Sequence, residues 1–245
     1  MSGGEVLLEV ADGLATVVLN RPDRKNAIVG PLADGLAAAF AEASARDDVG
    51  AVLLHGAGGG FCSGLDLVEY NADPAPDWIG TAQQSFVAAH RAIAECPVPV
   101  VGALERFAVN GGAALALACD LLVVGEGSFL VVGEVRQGMP AAMNLAWLVK
   151  RHAPGVAAQL VLTGRRFTGA DLHRLGVALD VVPDDGVLKA ARSLALEVAG
   201  FPSGSTRAMK AHLSRMAEPA VTGSDRIDRG ADLLAEAGRL RPRRT

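Results

Sequence analysis

The chain has 245 residues, half of them apolar and few aromatic, with 23 basic against 27 acidic side chains for a net charge of −4. That length supports one large domain or a domain with a small appendage, and the near-balanced charge gives no footing for nucleic-acid or membrane-surface binding. Three cysteines without metal-ligand spacing (Cys62, Cys96, Cys119), no N-terminal signal pattern and no apolar run of membrane-spanning length set the expectation of a soluble cytoplasmic protein with free thiols.

In chain order, Val6–Val10 and Leu14–Leu19 are strand-like runs around Asp12-Gly13, a hairpin signal. The polar loop Asn20–Asn26 carries three bases, and Pro31 opens an Ala-rich amphipathic helix to about Arg46. A buried strand at Ala51–Leu54 precedes the Gly-rich stretch 56–60 and the segment Phe61-Cys-Ser-Gly-Leu-Asp66. Leu67–Gln83 reads as loop, Thr81–Glu95 as helix, and Pro99–Leu104 as strand. Strands follow at Leu121–Val124, Phe129–Val132 and Ala178–Val182, with helices at Asn144–Arg151, Val156–Thr163 and Ala170–Leu175. From Asp184 onward three helical segments are expected, broken at Gly200-Phe-Pro202 and Glu218-Pro219. Strands separated by helices predict a mostly parallel α/β core over 1–195, followed by a helical segment over 196–245.

The stretch from Ala108 to Asp120 organises the chain: a Gly-Gly turn feeds a run of small apolar residues. A helix starting at Gly111 aims unsatisfied N–H groups at whatever lies before it, which suits an oxyanion; a tight turn before a core helix explains the same glycines. Cys62 and Cys119 sit in apolar settings as core filler, and Asp120 reads as structural. Asp66 is placed to cap the next helix. His55 lies at a strand end, and His90, His152, His173 and His212 are expected on helix surfaces. No Ser-His-Asp order or metal-ligand cluster stands out. The tail holds Arg239, Arg241, Arg243 and Arg244, either solvated or an anion site.

Asn20-Arg-Pro, Phe61-Cys-Ser-Gly-Leu-Asp66, Asn110-Gly-Gly with Ala-Cys-Asp120, Leu162-Thr-Gly164, and Gly176-Val-Ala with Val-Val-Pro183 occur in that order. Together they resemble the crotonase (enoyl-CoA hydratase/isomerase) superfamily. The resemblance implies a core of repeated ββα turns, C-terminal helices that build homotrimers often paired into hexamers, and an acyl-CoA thioester as substrate. Coenzyme A enters as part of that substrate and no cofactor is held permanently. It implies an oxyanion hole from the backbone N–H groups of Leu65 and Gly111. It also puts Arg24, Lys25 and the small Ala27 at the CoA loop, with Ser63 and Asp66 beside them. A solvated basic loop remains the alternative for Arg24 and Lys25.

A hydratase of this family uses two carboxylates. The first of those positions is Ala114 here, and the second falls on Glu134, which is retained. Carboxylates used further along that loop in some relatives are missing from Gly138–Asn144. A single carboxylate resembles the enoyl-CoA isomerases of the family, in which one base moves a proton from C2 to C4. The competing reading of Glu134 is a surface residue paired with Arg136. Glu105-Arg106 replaces the family's usual Asn-Gly, either as a paired structural substitution or with Glu105 as a displaced second carboxylate. Three functions follow as expectations: an isomerase-type proton shuttle through Glu134; a hydratase or other CoA-thioester lyase or hydrolase; and a non-catalytic acyl-CoA-binding homologue.

Overall fold

In the computed structural model, residues 4–202 and 204–217 are described. The third helical segment and the Arg-rich tail lie outside them. The hairpin forms as its turn chemistry requires: β1 (Val6–Ala11) and β2 (Leu14–Leu19) pair antiparallel, with Asp12 and Gly13 both at positive φ. α1 (Gly30–Ala45) follows, with Pro31 in its first turn. β3 (Ala51–Gly56), β4 (Val100–Leu104), β6 (Leu121–Gly125) and β9 (Asp180–Val182) join them in a six-stranded sheet, ordered β1-β2-β3-β4-β6-β9 and parallel beyond the hairpin.

A second sheet holds β5 (Phe107–Val109), β7 (Phe129–Val131) and β8 (Arg166–Thr168), with β5 and β7 parallel. Each turn of the chain lays one strand in the large sheet, one in the small sheet, then a helix. β4, β5 and α4 (Gly111–Leu117) make one such turn, and β6, β7 and α5 (Ala142–Arg151) make the next. The turn before them is shorter: after β3, Cys62 makes a single parallel bridge to Ala108 of β5 in place of a strand. Consequently the residues that follow Cys62, Val109 and Val131 emerge at the same end of three neighbouring parallel segments.

One apolar cluster lies between α1, α3 (Ala82–Glu95), α4 and the two sheets, with Phe40, Phe61 and Phe167 buried at its heart. A second covers the other face of the large sheet, where α8 (Val187–Ala199) buries Val187, Ala191, Ala195 and Val198 on Leu53, Val101 and Val123. The divide expected at residue 195 falls inside α8, whose last turn still packs on the sheet. α6 (Pro154–Thr163) and α7 (Gly169–Arg174) flank β8, and α9 (Ser205–Ala217) closes the described chain. Among the described residues no helix is long and apolar enough to cross a membrane.

The segment expected as loop holds a short helix, α2 (Leu67–Tyr70), and a single helical turn at Asp77–Thr81. Asp66 caps α2, accepting from the Glu69 N–H. His90 is not a surface residue. It is 3 % exposed, on the face of α3 that also buries Ala89 and Ile93. Cys62, Cys96 and Cys119 are buried and free, and burial pushes the thiols of Cys62 and Cys119 up to about 12, which keeps them protonated. Asp120 is structural: it accepts from the Val100 N–H and pairs with Arg151 and Lys210. Burial alone would raise its pKa, but those two cations hold it below the ordinary value.

Candidate active site

Two loops are stitched side by side. The Ser63 N–H donates to the Lys25 carbonyl at 3.1 Å, the Ile28 N–H to the Gly64 carbonyl at 2.7 Å, and the Asp66 N–H to the Ile28 carbonyl at 2.9 Å. In this parallel bridge between Ile28 and Leu65, the Leu65 N–H points away from the ladder. Among the described residues it has no protein acceptor, and neither has the N–H of Gly111, the first residue of α4. The two lie close because of Gly64: its φ is +87°, and a Cβ there would stand 2.6 Å from the Val109 carbonyl and 3.5 Å from the Gly111 nitrogen. The second glycine of the pair is demanded by packing, since a Cβ at Gly112 would stand 2.3 Å from the Cys62 carbonyl.

A buried ion cluster holds this loop. Arg21 donates to Glu5 at 2.8 Å, to Asp66 at 3.1 Å, to the Ala27 carbonyl at 2.7 Å, and to Glu69. Arg24 grips the same Asp66 through two nitrogens at 3.1 and 2.7 Å. Burial pushes the Asp66 carboxyl up, but the bonds from Arg24, Glu69 N–H and Arg21 outweigh it and hold the pKa low. Thus the guanidinium of Arg24 is committed to Asp66, while Lys25 is exposed at positive φ and Ala27 is buried under the loop. Asn26, unremarked in the sequence, accepts from the Arg21 N–H and donates to the carbonyls of Ala57 and Gly60, tying the Gly-rich stretch to the same cluster.

Glu134 opens a single helical turn (Glu134–Gln137) just after β7. Its loop is anchored to the Gly111 turn, because Gly133 N–H donates to Asn110 Oδ1 at 2.8 Å and Asn110 N–H to the Val131 carbonyl at 2.8 Å. Among the described residues it forms no ion pair with Arg136, whose stem lies against Gly164. Instead Glu134 Oε1 accepts from Asn144 Nδ2 at 2.9 Å, and Oε2 is buried with no partner among the described residues. Burial raises the Glu134 pKa; its own backbone N–H and the Asn144 amide oppose the shift without cancelling it. Asn144, 2 % exposed on the inner face of α5, is the residue that sequence reasoning missed. Its signal was a lone polar residue three and four positions before Trp147 and Leu148, the other buried residues of that helix.

The walls are apolar. Ile28 and the tip of Phe86 face the Gly111 Cα, and Leu65 is 39 % exposed beside them. Glu105 sits at the far end of β5 from Gly111, at least one three-residue strand of about 7 Å away. Its backbone carbonyl accepts from Phe61 and Phe107, and burial raises its pKa. Arg106 stacks over Phe107 rather than pairing with Glu105. A concavity of about 810 Å³ lies elsewhere, between α9 and Asp120, Arg151 and Val177. Its acid is already neutralised by Arg151 and Lys210.

A buried carboxylate with one free oxygen, next to two backbone donors without acceptors, is equipped to take a proton from carbon and to hold the oxyanion that results. The enoyl-CoA hydratase/isomerase family model matches residues 9–235. The chain is 31 % identical over 202 residues to the 1,2-epoxyphenylacetyl-CoA isomerase of Escherichia coli K12, covering 81 % of this chain and 77 % of that protein. It is 31 % identical over 228 residues to the enoyl-CoA hydratase ACTT6 of Alternaria alternata, covering 93 % and 74 %. A crystal structure from Streptomyces coelicolor A3(2), provisionally named an enoyl-CoA hydratase, superposes with a TM-score of 0.84 at 31 % identity over 95 % of this chain and 86 % of that one. The repeated ββα turns, the match along nearly the whole chain and the agreement in three dimensions make this protein an enzyme of the enoyl-CoA hydratase/isomerase family, with the crotonase fold.

Proposed function

We propose that the protein isomerises 3-enoyl-CoA thioesters to their conjugated 2-enoyl isomers through Glu134. The observation that carries this reading is the buried, unpartnered Oε2 of Glu134 at the same end of the sheet as the free N–H groups of Leu65 and Gly111. Oε2 takes a proton from C2 and the electron pair moves onto the thioester oxygen, where the two N–H groups hold the enolate. The double bond shifts into conjugation as Glu134 returns the proton to C4. Its raised pKa suits a group that must both take and give a proton near neutral pH. Ala114, at the position of a hydratase's first carboxylate, removes a second acid from α4.

Coenzyme A enters as part of the thioester. Lys25 meets its phosphates, Ala27 leaves space beside the adenosine end, and Ser63 hydrogen-bonds along the same edge. Arg24 contributes charge from where Asp66 holds it, so Asp66 acts through Arg24 rather than on the ligand. The working form is a homotrimer or a hexamer of two trimers, which light scattering on the purified protein tests. The reaction is tested by following conjugated 2-enoyl absorbance from 3-enoyl-CoA of several chain lengths. Isomerisation that disappears in Glu134→Gln supports the reading. No product at any chain length, or product formed equally by Glu134→Gln, rejects it.

A further inference from the structure

Glu134 Oε2 is not alone: among the described residues the carbonyl oxygen of the Asn144 side chain, Oδ1, is also buried without a partner. The orientation of that amide is set by its surroundings, because Nδ2 donates to two acceptors, Glu134 Oε1 at 2.9 Å and the Asn110 carbonyl at 3.2 Å. Turning it over would place Oδ1 against two oxygens, so the unpartnered atom is the acceptor. Two adjoining side chains therefore each present a buried acceptor. Neither can satisfy the other while Glu134 is ionised, and leaving both unmet is costly. A small molecule with two hydrogens to give answers both at once.

The place of Asn144 sharpens this. The Asn110 carbonyl that accepts from its amide also accepts from the Ala114 N–H at 3.0 Å. Asn144 thus lies against the first turn of α4, the turn that ends at Ala114.

We propose that Asn144 is a second catalytic residue, holding with Glu134 one water that adds across the double bond of a 2-enoyl-CoA. The water donates one hydrogen to Glu134 Oε2 and the other to Asn144 Oδ1. Its oxygen bonds to C3 as Oε2 takes the first hydrogen, and the C2–C3 π pair moves onto the thioester oxygen at the Leu65 and Gly111 N–H groups. Glu134 then delivers that proton to C2. The second hydrogen stays on the new hydroxyl, donating to Asn144, so enoyl thioester plus water gives 3-hydroxyacyl thioester with nothing left over. The inference rests on Glu134 as the base of the proposed isomerisation, and it adds hydration at the same site.

The test gives the full-length protein trans-2-enoyl-CoA in heavy-oxygen water and reads the hydration product by mass, with 3-enoyl-CoA in parallel and its isomerisation read by conjugated 2-enoyl absorbance. The expected result is a 3-hydroxyacyl-CoA carrying heavy oxygen. Asn144→Ala should lower the hydration rate about 10- to 100-fold more than the isomerisation rate, the worth of one or two hydrogen bonds to the reacting water. Isomerisation without hydration by the wild-type protein overturns the role of Asn144 and leaves that of Glu134 standing. Hydration that Asn144→Ala retains in full overturns it too. Loss of both reactions in the wild-type protein rejects the reading of Glu134 along with this one. Where Asn144→Ala does not fold, Asn144→Ser is read in its place: the same selective loss of hydration supports the role of Asn144, and hydration kept in full overturns it.

Discussion

The indole N–H of Trp147 donates to Nδ1 of His90 at 2.9 Å, joining α5 to α3 one helical turn below the level of Asn144 and Phe86. Accepting at Nδ1 puts the imidazole hydrogen on Nε2, and burial drives the ring's pKa down to about 4. A histidine depressed in the folded protein stays neutral there while the unfolded chain takes up a proton below its ordinary value near 6.5. Stability is therefore full above about pH 6.5 and is lost as pH falls toward 4, at roughly 1.4 kcal/mol per unit once the unfolded histidine is protonated. His90→Phe should flatten this window in urea denaturation measured across pH. At neutral pH it should be less stable by about 1–3 kcal/mol, because the Trp147 N–H is left unpaired.

Glu134→Gln separates activity from stability. With the base removed, turnover should fall on the order of 100- to 10,000-fold, with CoA-thioester binding nearly unchanged by calorimetry. The folded-state pKa of Glu134 is raised, so the native protein loses stability as pH rises through the ordinary carboxylate range and on through that raised value. Gln keeps the acceptor for Asn144 and removes the charge, so the variant should melt no lower than the wild type at neutral pH. A clear drop in melting temperature would count against a base held under desolvation. In the wild type, the acid limb of the pH–rate profile should lie above the range of an exposed glutamate, because only the ionised form takes the proton.

Arg21 should be among the least replaceable polar residues. Its side chain is buried and reaches Glu5, Asp66, Glu69 and the Ala27 carbonyl at once. Arg21→Ala leaves Asp66 to Arg24 and the Glu69 N–H and strips the Ala27 carbonyl of its donor, and should cost about 2–4 kcal/mol in chemical denaturation. Arg21→Lys should recover little of this, since one ammonium cannot reproduce the fork.

Gly64→Ala tests the donor pair without touching a side chain that does chemistry. A methyl at φ +87° strains the loop by about 1–3 kcal/mol and collides with the Val109 carbonyl beside the Gly111 nitrogen. The Leu65 and Gly111 N–H groups should move apart, lowering kcat on the order of 100-fold while thioester affinity changes little. A loss confined to KM would mean that the loop binds CoA and does not hold the enolate.

Much of this was legible beforehand because long apolar runs and turn chemistry are local. The hairpin at Asp12-Gly13, the strands at Ala51 and Leu121, and the helices from Gly30 and Ala82 follow from periodicity and punctuation. β5 and β8 span three residues each, too short for alternation to register, so of the small sheet only β7 was read from the residues. The α2 helix is four residues long and owes its form to the Asp66 cap. His90 was misplaced because its residue type outweighed its spacing from Phe86 and Ile93, which puts it on the inner face. Asn144 belongs to no motif. Its meaning comes from the Glu134 oxygen beside it, and that neighbour is set by tertiary packing between β7 and α5.

The single bridge between Cys62 and Ala108 has a consequence for how this scaffold acquires new chemistry. Leu65, Gly111 and Glu134 each stand at one landing of a spiral stair, and the parallel bridges fix which residue arrives at which landing. Inserting one residue between Phe107 and Asn110 would advance Gly111 by about 3.3 Å past its neighbours and turn the alternate side chains of β5 from core to solvent. Length is thus frozen across these segments while identity is free. Reactions can diverge by exchanging the side chains that stand on the landings while the landings themselves stay in place.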